Sequence, residues 1–369
     1  MKKFLFCLIS TLFGFKNPTF AQLQPGFSPQ EYRDFLGITA GSVNDENFGR
    51  GIPQNPNLKK IYESPQVGLE NKWYLWIEED KKIGWLTIRG TVNNNDSWLA
   101  NFYAAMIPAQ GSIQINNSYQ FQFDLSPDPK AAVHVGWTLA TGALAESMVP
   151  KIDSLYQNGY RDFIISGHSQ GGAISYLMTS HILSLREKGR WEEPVRIKTY
   201  ASAAPKPGNL YYSYSFEFQT RGAWAFNVVN GADWVPETPF SIQTTQDFNP
   251  SNPFVGIDEI IKKQKFPQNL AFRKVYNKLD KPSKKSFRNF QKYLGNFAEK
   301  QVKKSLPEFQ APEYYNSNNY SRTGNFIILF PNKEYWEKYP EEKGKIFKHH
   351  ALQPYLFLLE KQYLSGTLD

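Results

Sequence analysis

Cysteine is almost absent from this sequence: its 369 residues include a single one, Cys7, close to the amino terminus. The chain beyond that position has no thiol. This excludes disulfide bonds, cysteine-ligated metal sites and a cysteine nucleophile from everything that follows Cys7. Stability must then come from a buried core, for which the 41% of hydrophobic residues provide the side chains.

Long hydrophobic runs are missing as well. The longest candidate, residues 4–15, is an apolar run of about a dozen residues, preceded by Lys2 and Lys3 and followed by a small-residue sequence that ends at Ala21. Spanning a bilayer takes about 20 apolar residues, so the pattern favours a secretory signal peptide over an uncleaved anchor. We expect residues 1–21 to be removed after Ala21 and the protein to be secreted or periplasmic.

Acidic residues are scarce in one part of the chain. Residues 262–304 hold 14 Lys and Arg against Asp280 and Glu299, a net charge of about +12, whereas the whole chain carries +8. Stretches with the apolar spacing of amphipathic helices lie in or beside this part: residues 255–266, 271–281 and 286–306. The sequence therefore predicts a basic helical insertion at about residues 252–320.

Two roles are open for this insertion. Its aromatic side can cap the functional site while its lysines face water, or it can lie on an anionic membrane surface, as basic amphipathic helices do. The two roles are compatible, so peripheral membrane contact stays among the expected partners. Nucleic acid is not an expected partner, because the protein is expected to be secreted.

Strand and helix patterns alternate along the chain. Period-two and β-branched runs predict strands, at residues 73–79, 82–88, 161–166, 195–202 and 223–230. Helical spacing predicts helices at about residues 138–157 and 171–187. This alternation is typical of an α/β fold with a mostly parallel central sheet and helices on both faces. We expect one domain over residues 22–369, with residues 22–63 irregular.

The sequence FIISGHSQGGA, residues 163–173, places Ser169 between Gly167 and Gly171 after a β-branched run. A strand, then G-x-S-x-G, then an apolar-periodic helix is the context of a nucleophile elbow. The turn is so sharp that the residues two before and two after the serine must be small. The serine hydroxyl then lies at the carboxyl edge of the sheet, beside the positive end of the following helix. A purely structural turn is the alternative.

A serine nucleophile needs a base, and the base needs an acid that orients it. The candidate bases are the five histidines: His134, His168, His181, His349 and His350. His168 adjoins the serine and points away from it, and His181 lies three turns down the following helix. His134 precedes the serine, whereas the α/β-hydrolase order is serine, acid, histidine. The pair His349 and His350 remains, and chemistry alone does not choose between them.

The acid is expected at the end of a strand between the serine and these histidines. Asp233 directly follows the apolar strand of VVNGADWVP. Glu237 and Asp247 are competitors that lie further from the strand end, so Asp233 is preferred, with a turn-capping aspartate as the alternative. An oxyanion hole needs two backbone N–H donors. Gln170, after the serine, and Thr91, after an early strand, are the candidates.

Six motifs in order give the chain a family resemblance: IRGT (88–91), VHVGW (133–137), SGHSQGGA (166–173), YASAAPKPGN (200–209), VVNGADWVP (228–236) and HALQPY (350–355). Together the set resembles the class 3 lipases, the fungal-type triacylglycerol lipases of the α/β-hydrolase fold. The resemblance covers roughly residues 74–359. A departure is Gln170, where the family usually has leucine or a small residue.

The resemblance implies roles for individual residues. Ser169 matches the family's nucleophile and Asp233 its triad acid. The family's catalytic histidine is followed five residues later by a tyrosine, which His350 and Tyr355 satisfy and His349 does not. Thr91 matches the oxyanion residue of R-G-[ST], beside Gln170. No cofactor and no metal are implied.

The expected function is secreted hydrolysis of carboxylic esters of lipids, through a Ser-Asp-His triad and an acyl-enzyme. Carboxylesterase or phospholipase A1 activity on the same machinery is an alternative, and so is a non-catalytic protein that binds lipid or a cell surface. The resemblance also implies a lid helix in residues 96–109, where Trp98, Phe102 and Ile107 share one helical stripe. A helix permanently packed on the sheet is the competing interpretation.

Overall fold

The structure is a computed structural model that describes residues 23–43 and 46–365. The predicted signal peptide and its cleavage site after Ala21 therefore lie outside the described residues. Within the described residues, no helix is both long enough and apolar enough to cross a membrane.

In chain order, the strands of the described part are β1 Leu58–Glu63, β2 Trp73–Glu78, β3 Ile83–Ile88, β4 Met106–Pro108, β5 Gln110–Asn116, β6 Tyr119–Asp124, β7 Ala132–His134, β8 Asp162–His168, β9 Arg196–Ser202, β10 Gly208–Asn209, β11 Ala225–Asn230, β12 Tyr320–Ser321 and β13 Asn325–Leu329. The α-helices are α1 Pro29–Ser42, α2 Glu46–Gly49, α3 Asn95–Phe102, α4 Val135–Gln157, α5 Gln170–Glu187, α6 Leu210–Gln219, α7 Ile257–Lys262, α8 Gln268–Gln291, α9 Ala298–Ser305, α10 Lys333–Lys338 and α11 Leu352–Leu359.

The central sheet has seven strands in the order β1-β2-β3-β8-β9-β11-β13. The first two pairings are antiparallel, and the five strands from β3 to β13 are parallel. The prediction of a mostly parallel sheet flanked by helices is confirmed. Parallel strands are connected by helices that cross over the sheet, so both faces become covered.

Side chains of β8 alternate between two apolar cores, one on each face of the sheet. Phe163 and Ile165 join the core that contains α4 and α5, and Ile164 joins the core that contains α1 and α11. This alternation follows from the two-residue period of a strand. The carboxyl ends of the parallel strands are thereby fixed between two helical layers, which is where Ser169 follows β8.

The prediction that residues 22–63 are irregular was wrong. This segment forms α1 and β1, and Tyr32, Phe35 and Leu36 of α1 are fully buried against the sheet. The helix begins at a cap: the hydroxyl of Ser28 accepts a hydrogen bond from the backbone N–H of Glu31 at 3.2 Å, and Pro29 occupies the first turn. The sequence Ser-Pro-x-Glu carried that signal.

Helices are present where the basic insertion is predicted, but the boundaries of the individual helices differ from the predicted ones. The predicted helices 271–281 and 286–306 join into one rod, formed by α8, a π-helical segment over Lys292–Phe297, and α9. Pro282 lies inside α8 and does not end it. The predicted helix 255–266 is confined to α7.

The predicted helix over residues 96–109 was too long. Helix α3 ends at Phe102, and Met106 and Ile107 belong instead to β4, which pairs with β7. The pairing buries Met106 and Ile107 completely, whereas Phe102 at the end of α3 is 55% exposed. The apolar residues of this stretch therefore serve two elements, and their helical spacing was coincidental.

Candidate active site

Ser169 lies on a sharp turn between β8 and α5, with φ 61° and ψ −130°. A positive φ is costly for a residue with a side chain, and the surrounding backbone holds it in place. A β-carbon on Gly167 would lie 2.2 Å from the carbonyl carbon of Gly171, and one on Gly171 would lie 2.2 Å from the carbonyl oxygen of Ile88. Both glycines are therefore required sterically, as the sequence predicts.

His350 lies in a short helical turn just before α11 and contacts Asp233. Its Nδ1 is 2.7 Å from Oδ2 of Asp233, which is only 4% exposed and follows β11. The same carboxylate accepts hydrogen bonds from the Tyr355 hydroxyl at 2.8 Å and from the backbone N–H of Val235 at 3.0 Å. The structure thus joins residues that are 117 positions apart.

The surroundings of Asp233 keep its side chain ionised. Burial alone would raise the pKa of this carboxyl group, but the hydrogen bond and charge of His350, with the Val235 and Tyr355 donors, hold the pKa below its ordinary value. A buried carboxylate that is paired in this way holds the imidazole ring and favours a proton on its Nδ1.

The competing residues have other partners. The hydroxyl of Tyr335 lies 2.6 Å from Nδ1 of His349, which is turned away from Asp233. Asp247 binds the hydroxyls of Thr244 and Ser317. Glu237 is exposed and lies on the wall of the cavity described below. Among these alternatives, the geometry therefore favours His350 and Asp233.

His168 supports the loop that carries His350. Its Nε2 is 2.7 Å from the backbone carbonyl oxygen of His350, so this nitrogen carries a proton, because a carbonyl oxygen only accepts. Burial, with the charge of His350 as a smaller cause, lowers the pKa of His168 to about 3. At neutral pH the ring is therefore uncharged and its Nδ1 is an acceptor.

A buried polar chain continues from His168 to the amino-terminal helix. The hydroxyl of Ser202 lies 3.0 Å from Nδ1 of His168 and 2.6 Å from the hydroxyl of Tyr32 on α1. Ser202 therefore donates to His168 and accepts from Tyr32. Sequence reasoning missed both residues: Tyr32 lies in the segment predicted to be irregular, and the motif YASAAPKPGN that contains Ser202 assigns it no role. Only the fold brings α1 beneath this edge of the sheet.

His134 and His181 have structural positions. Nε2 of His134 is 3.1 Å from the carbonyl oxygen of Asn101, and its ring stacks on Trp137 with 3.6 Å between centroids. His181 packs edge-on against Phe121. Burial lowers the pKa of His134 to about 3 and that of His181 to about 4. In the described residues, no group of three or more His, Asp, Glu or Cys side chains could hold a metal ion.

Thr91 and Gln170 lie together beside the serine, and Asn101 of α3 links them. The amide of Asn101 donates to the Thr91 hydroxyl oxygen at 3.0 Å, and its Oδ1 accepts from Nε2 of Gln170 at 2.9 Å. Gln170 also donates to the carbonyl oxygen of Ser97 at 3.0 Å. Because Gln170 is the first residue of α5, its backbone N–H has no partner within the helix. The side chain of Gln170 connects the Ser169 turn to α3 through these hydrogen bonds.

Ser169, His350, Thr91 and Gln170 all line one cavity of about 960 Å³. Aromatic and aliphatic residues form most of its remaining wall, among them Ile88, Trp98, Phe102, Trp137, Trp234, Val235, Phe240, Phe290, Leu294 and Phe347. Concave, mostly apolar sites with a few convergent polar groups are typical of small-molecule binding. Of the five residues predicted for the site, four face this cavity, and Asp233 lies behind His350.

Residues 85–243 match the family model described as lipase (class 3). This segment belongs to the class 3 lipase family. It contains Thr91, Ser169, Gln170 and Asp233, while His350 lies beyond the class 3 lipase match. The family resemblance seen in the sequence is thereby confirmed over residues 85–243, which contain five of its six motifs.

One curated relative is a secreted mono- and diacylglycerol lipase 3 of Gibberella zeae, 33% identical over 104 residues. The alignment covers 28% of this chain and 29% of the relative, so the chain spans under a third of the relative's length. Among solved structures, a lipase from Rhizopus microsporus var. chinensis is 21% identical, with 58% of this chain and 71% of that chain covered and a TM-score of 0.42. A Rhizomucor miehei lipase propeptide complex is 20% identical, with coverages of 58% and 65% and a TM-score of 0.42.

Removal of the Ser202 hydroxyl tests the polar chain beneath the site. Ser202→Ala leaves both His168 Nδ1 and the Tyr32 hydroxyl buried without a partner, so we expect the free energy of unfolding to fall by about 2–6 kcal/mol, at roughly 1–3 kcal/mol for each orphaned group. Tyr32→Phe removes one partner only and should cost less than Ser202→Ala. Urea denaturation measures both, and equal stability of Ser202→Ala and wild type would contradict this arrangement.

Proposed function

We propose that this chain hydrolyses carboxylic esters of lipids, with Ser169 as nucleophile, His350 as general base and Asp233 as the acid that orients it. One observation carries the proposal: His350, which is paired with the buried Asp233, and the strained Ser169 turn line the same apolar cavity. Serine hydrolases require this combination, because the hydroxyl is a weak nucleophile until a base accepts its proton.

The first half of the proposed reaction forms an acyl-enzyme. Nε2 of His350 accepts the proton of Ser169 as Oγ attacks the ester carbonyl carbon, and the Asp233 carboxylate stabilises the imidazolium that results. The C–O bond to the alcohol then breaks, and His350 passes its proton to the departing oxygen. In the second half, water attacks the acyl-enzyme with His350 again as base, which releases the carboxylic acid and restores Ser169.

Thr91 and Gln170 stabilise the negative charge on the carbonyl oxygen in this proposal. The backbone N–H of Gln170 is one donor, at the positive end of α5, and Thr91 supplies the other. The Thr91 hydroxyl oxygen already accepts from Asn101, so its own proton is available to a second acceptor. Loss of a donor of this kind typically raises the barrier by about 3–4 kcal/mol.

The composition of the cavity supports a lipid as substrate. Its wall is mainly aromatic and aliphatic, which suits an acyl chain, and Ser169, Thr91, Gln170 and His350 supply polar groups on the same wall. The relative from Gibberella zeae is named a mono- and diacylglycerol lipase. Acylglycerols at a lipid–water interface are therefore the substrates that we propose.

Two adjacent histidines provide a matched test of the proposed triad. Ser169→Ala and His350→Asn are each expected to lower kcat/KM for p-nitrophenyl esters by at least about a thousandfold. His349→Asn is the control, because Oδ1 of asparagine can accept the Tyr335 hydrogen bond that Nδ1 of His349 accepts. It should keep most of the activity.

Short- and long-chain esters should be compared for all four proteins. Equal rates in wild type and Ser169→Ala would contradict the enzyme and favour a non-catalytic lipid-binding protein. Equal losses in the two histidine variants would contradict the assignment of His350 as the base.

We also propose that the protein is exported and that residues 1–21 are its signal peptide. The basic start, the apolar run and Ala21 support this, and the Gibberella zeae relative is named as secreted. Mass spectrometry of the exported chain should give Gln22 as the first residue. Recovery of the intact chain from the membrane fraction alone would contradict export with cleavage.

A further inference from the structure

The insertion divides into a covered half and an uncovered half. In the second half of α8, Phe287 and Phe290 are buried. In the first half, Phe272, Val275 and Leu279 are 55%, 60% and 72% exposed. One helix therefore begins in solvent with an apolar face and ends packed against the body of the protein.

The covered half is fixed to the wall of the cavity. Phe290 and Leu294 line that wall. The carbonyl oxygen of Leu294 accepts backbone hydrogen bonds from Ala104 at 2.8 Å and Ala105 at 3.0 Å, and Val302 of α9 is fully buried in the main core. The position of the uncovered half relative to the cavity is thereby set by a rigid attachment.

The exposed apolar residues lie on the same face of α8 as Phe290, which lines the cavity. Phe272, Val275 and Leu279 follow one another at intervals of three and four residues, so they form one stripe on α8. Leu279 and Phe290 are 11 residues apart, which is about three helical turns and leaves them within roughly 20° of the same face. The stripe thus leads from solvent to the cavity.

Exposed hydrophobic side chains concentrate in this part of the molecule. Among the described residues, 23 large hydrophobic side chains are exposed, and eight of them lie between positions 254 and 279. That stretch is a small fraction of the chain, so the concentration is not a general feature of the surface. A contiguous exposed apolar patch marks an interaction surface.

The charge of α8 indicates which partner fits the stripe. The helix contains seven basic residues and one acidic residue, Asp280, which is buried and paired with Lys284 at 2.8 Å. Lys274, Lys278, Lys281 and Lys285 recur at intervals of three and four, and form a basic stripe beside the apolar one. Long lysine side chains can extend to headgroups while their neighbours insert into lipid.

We propose that the first half of α8 docks on an anionic lipid surface. Phe272, Val275 and Leu279 insert among the acyl chains, and the four lysines of the basic stripe contact anionic headgroups. Docking in this orientation presents the Phe290 side of the cavity to the lipid. That docking brings lipid substrate to the cavity rests on the proposed function. Binding of α8 to the lipid surface does not depend on it.

Other binding partners for the first half of α8 fit the observations less well. A symmetric dimer through the apolar stripe of α8 would place two helices side by side that each carry seven basic residues and one acidic residue, and like charges destabilise such contacts. A nucleic acid would contact the lysines but would leave the apolar stripe exposed. An anionic lipid surface uses both stripes at once.

Vesicle partitioning in the Ser169→Ala protein tests the proposal without hydrolysis of the lipid. We expect tighter binding to vesicles that contain about one third phosphatidylglycerol than to phosphatidylcholine alone, by tenfold or more, and weaker binding at high salt. Combined Phe272→Ser, Val275→Ser and Leu279→Ser should reduce binding to anionic vesicles by about tenfold or more. Combined Lys274→Gln, Lys278→Gln, Lys281→Gln and Lys285→Gln should abolish the preference for anionic lipid.

Three exposed hydrophobic residues outside the insertion give the matched control. Ile61, Phe218 and Phe330 are 49%, 65% and 68% exposed, so their combined change to serine removes similar surface elsewhere and should leave partitioning within about twofold. Thermal melting verifies that each variant is folded.

Four results would overturn the proposal: equal binding to both vesicle types, equal losses in the control and the apolar-stripe variant, DNA binding without vesicle binding, or a dimer that the apolar-stripe variant dissociates. Because Ser169→Ala is used throughout, failure of vesicle binding and failure of ester hydrolysis are separate results.

Discussion

At the turn around Ser169 two backbone segments approach so closely that no side chain fits between them. Gly167 and Gly171 contact each other, and Gly171 also contacts the carbonyl oxygen at the end of β3. This contact lets β8 reverse into α5 at a single residue, which places Ser169 at the edge of the sheet. It also brings the chain after β3, with Thr91, to the start of α5. The remaining parts of the site are arranged around this point.

The sheet topology explains how Asp233 and His350 meet although the chain between them is long. Asp233 follows β11, and His350 follows β13, the parallel neighbour of β11. The chain can leave after β11, form the insertion and return to the adjacent strand without a change in the Asp233–His350 contact. The polar chain from Tyr32 through Ser202 and His168 then holds the carbonyl group of His350 from beneath.

Local patterns were enough to predict five of the seven strands of the central sheet, the elbow, and the candidate acid and bases, because each depends on neighbours in the sequence. The glycines at 167 and 171 and the strand before Asp233 are examples. Helix α1 was missed because a Ser-Pro cap is a short signal in a stretch of mixed polarity. The single rod through Pro282 could not be predicted, because tertiary packing of Phe287 and Phe290 outweighs the local cost of a proline. The role of Ser202 could not be predicted without the fold, since its hydrogen-bond partners lie on β8 and α1.

Activation of Ser169 by His350 can be tested by covalent labelling. A fluorophosphonate reacts with an activated serine and leaves a stable adduct of known mass, independent of substrate preference. If His350 activates Ser169, we expect one adduct per chain, on the peptide that contains Ser169, and strongly reduced labelling in His350→Asn. An unlabelled folded protein, or an adduct on another serine, would contradict it.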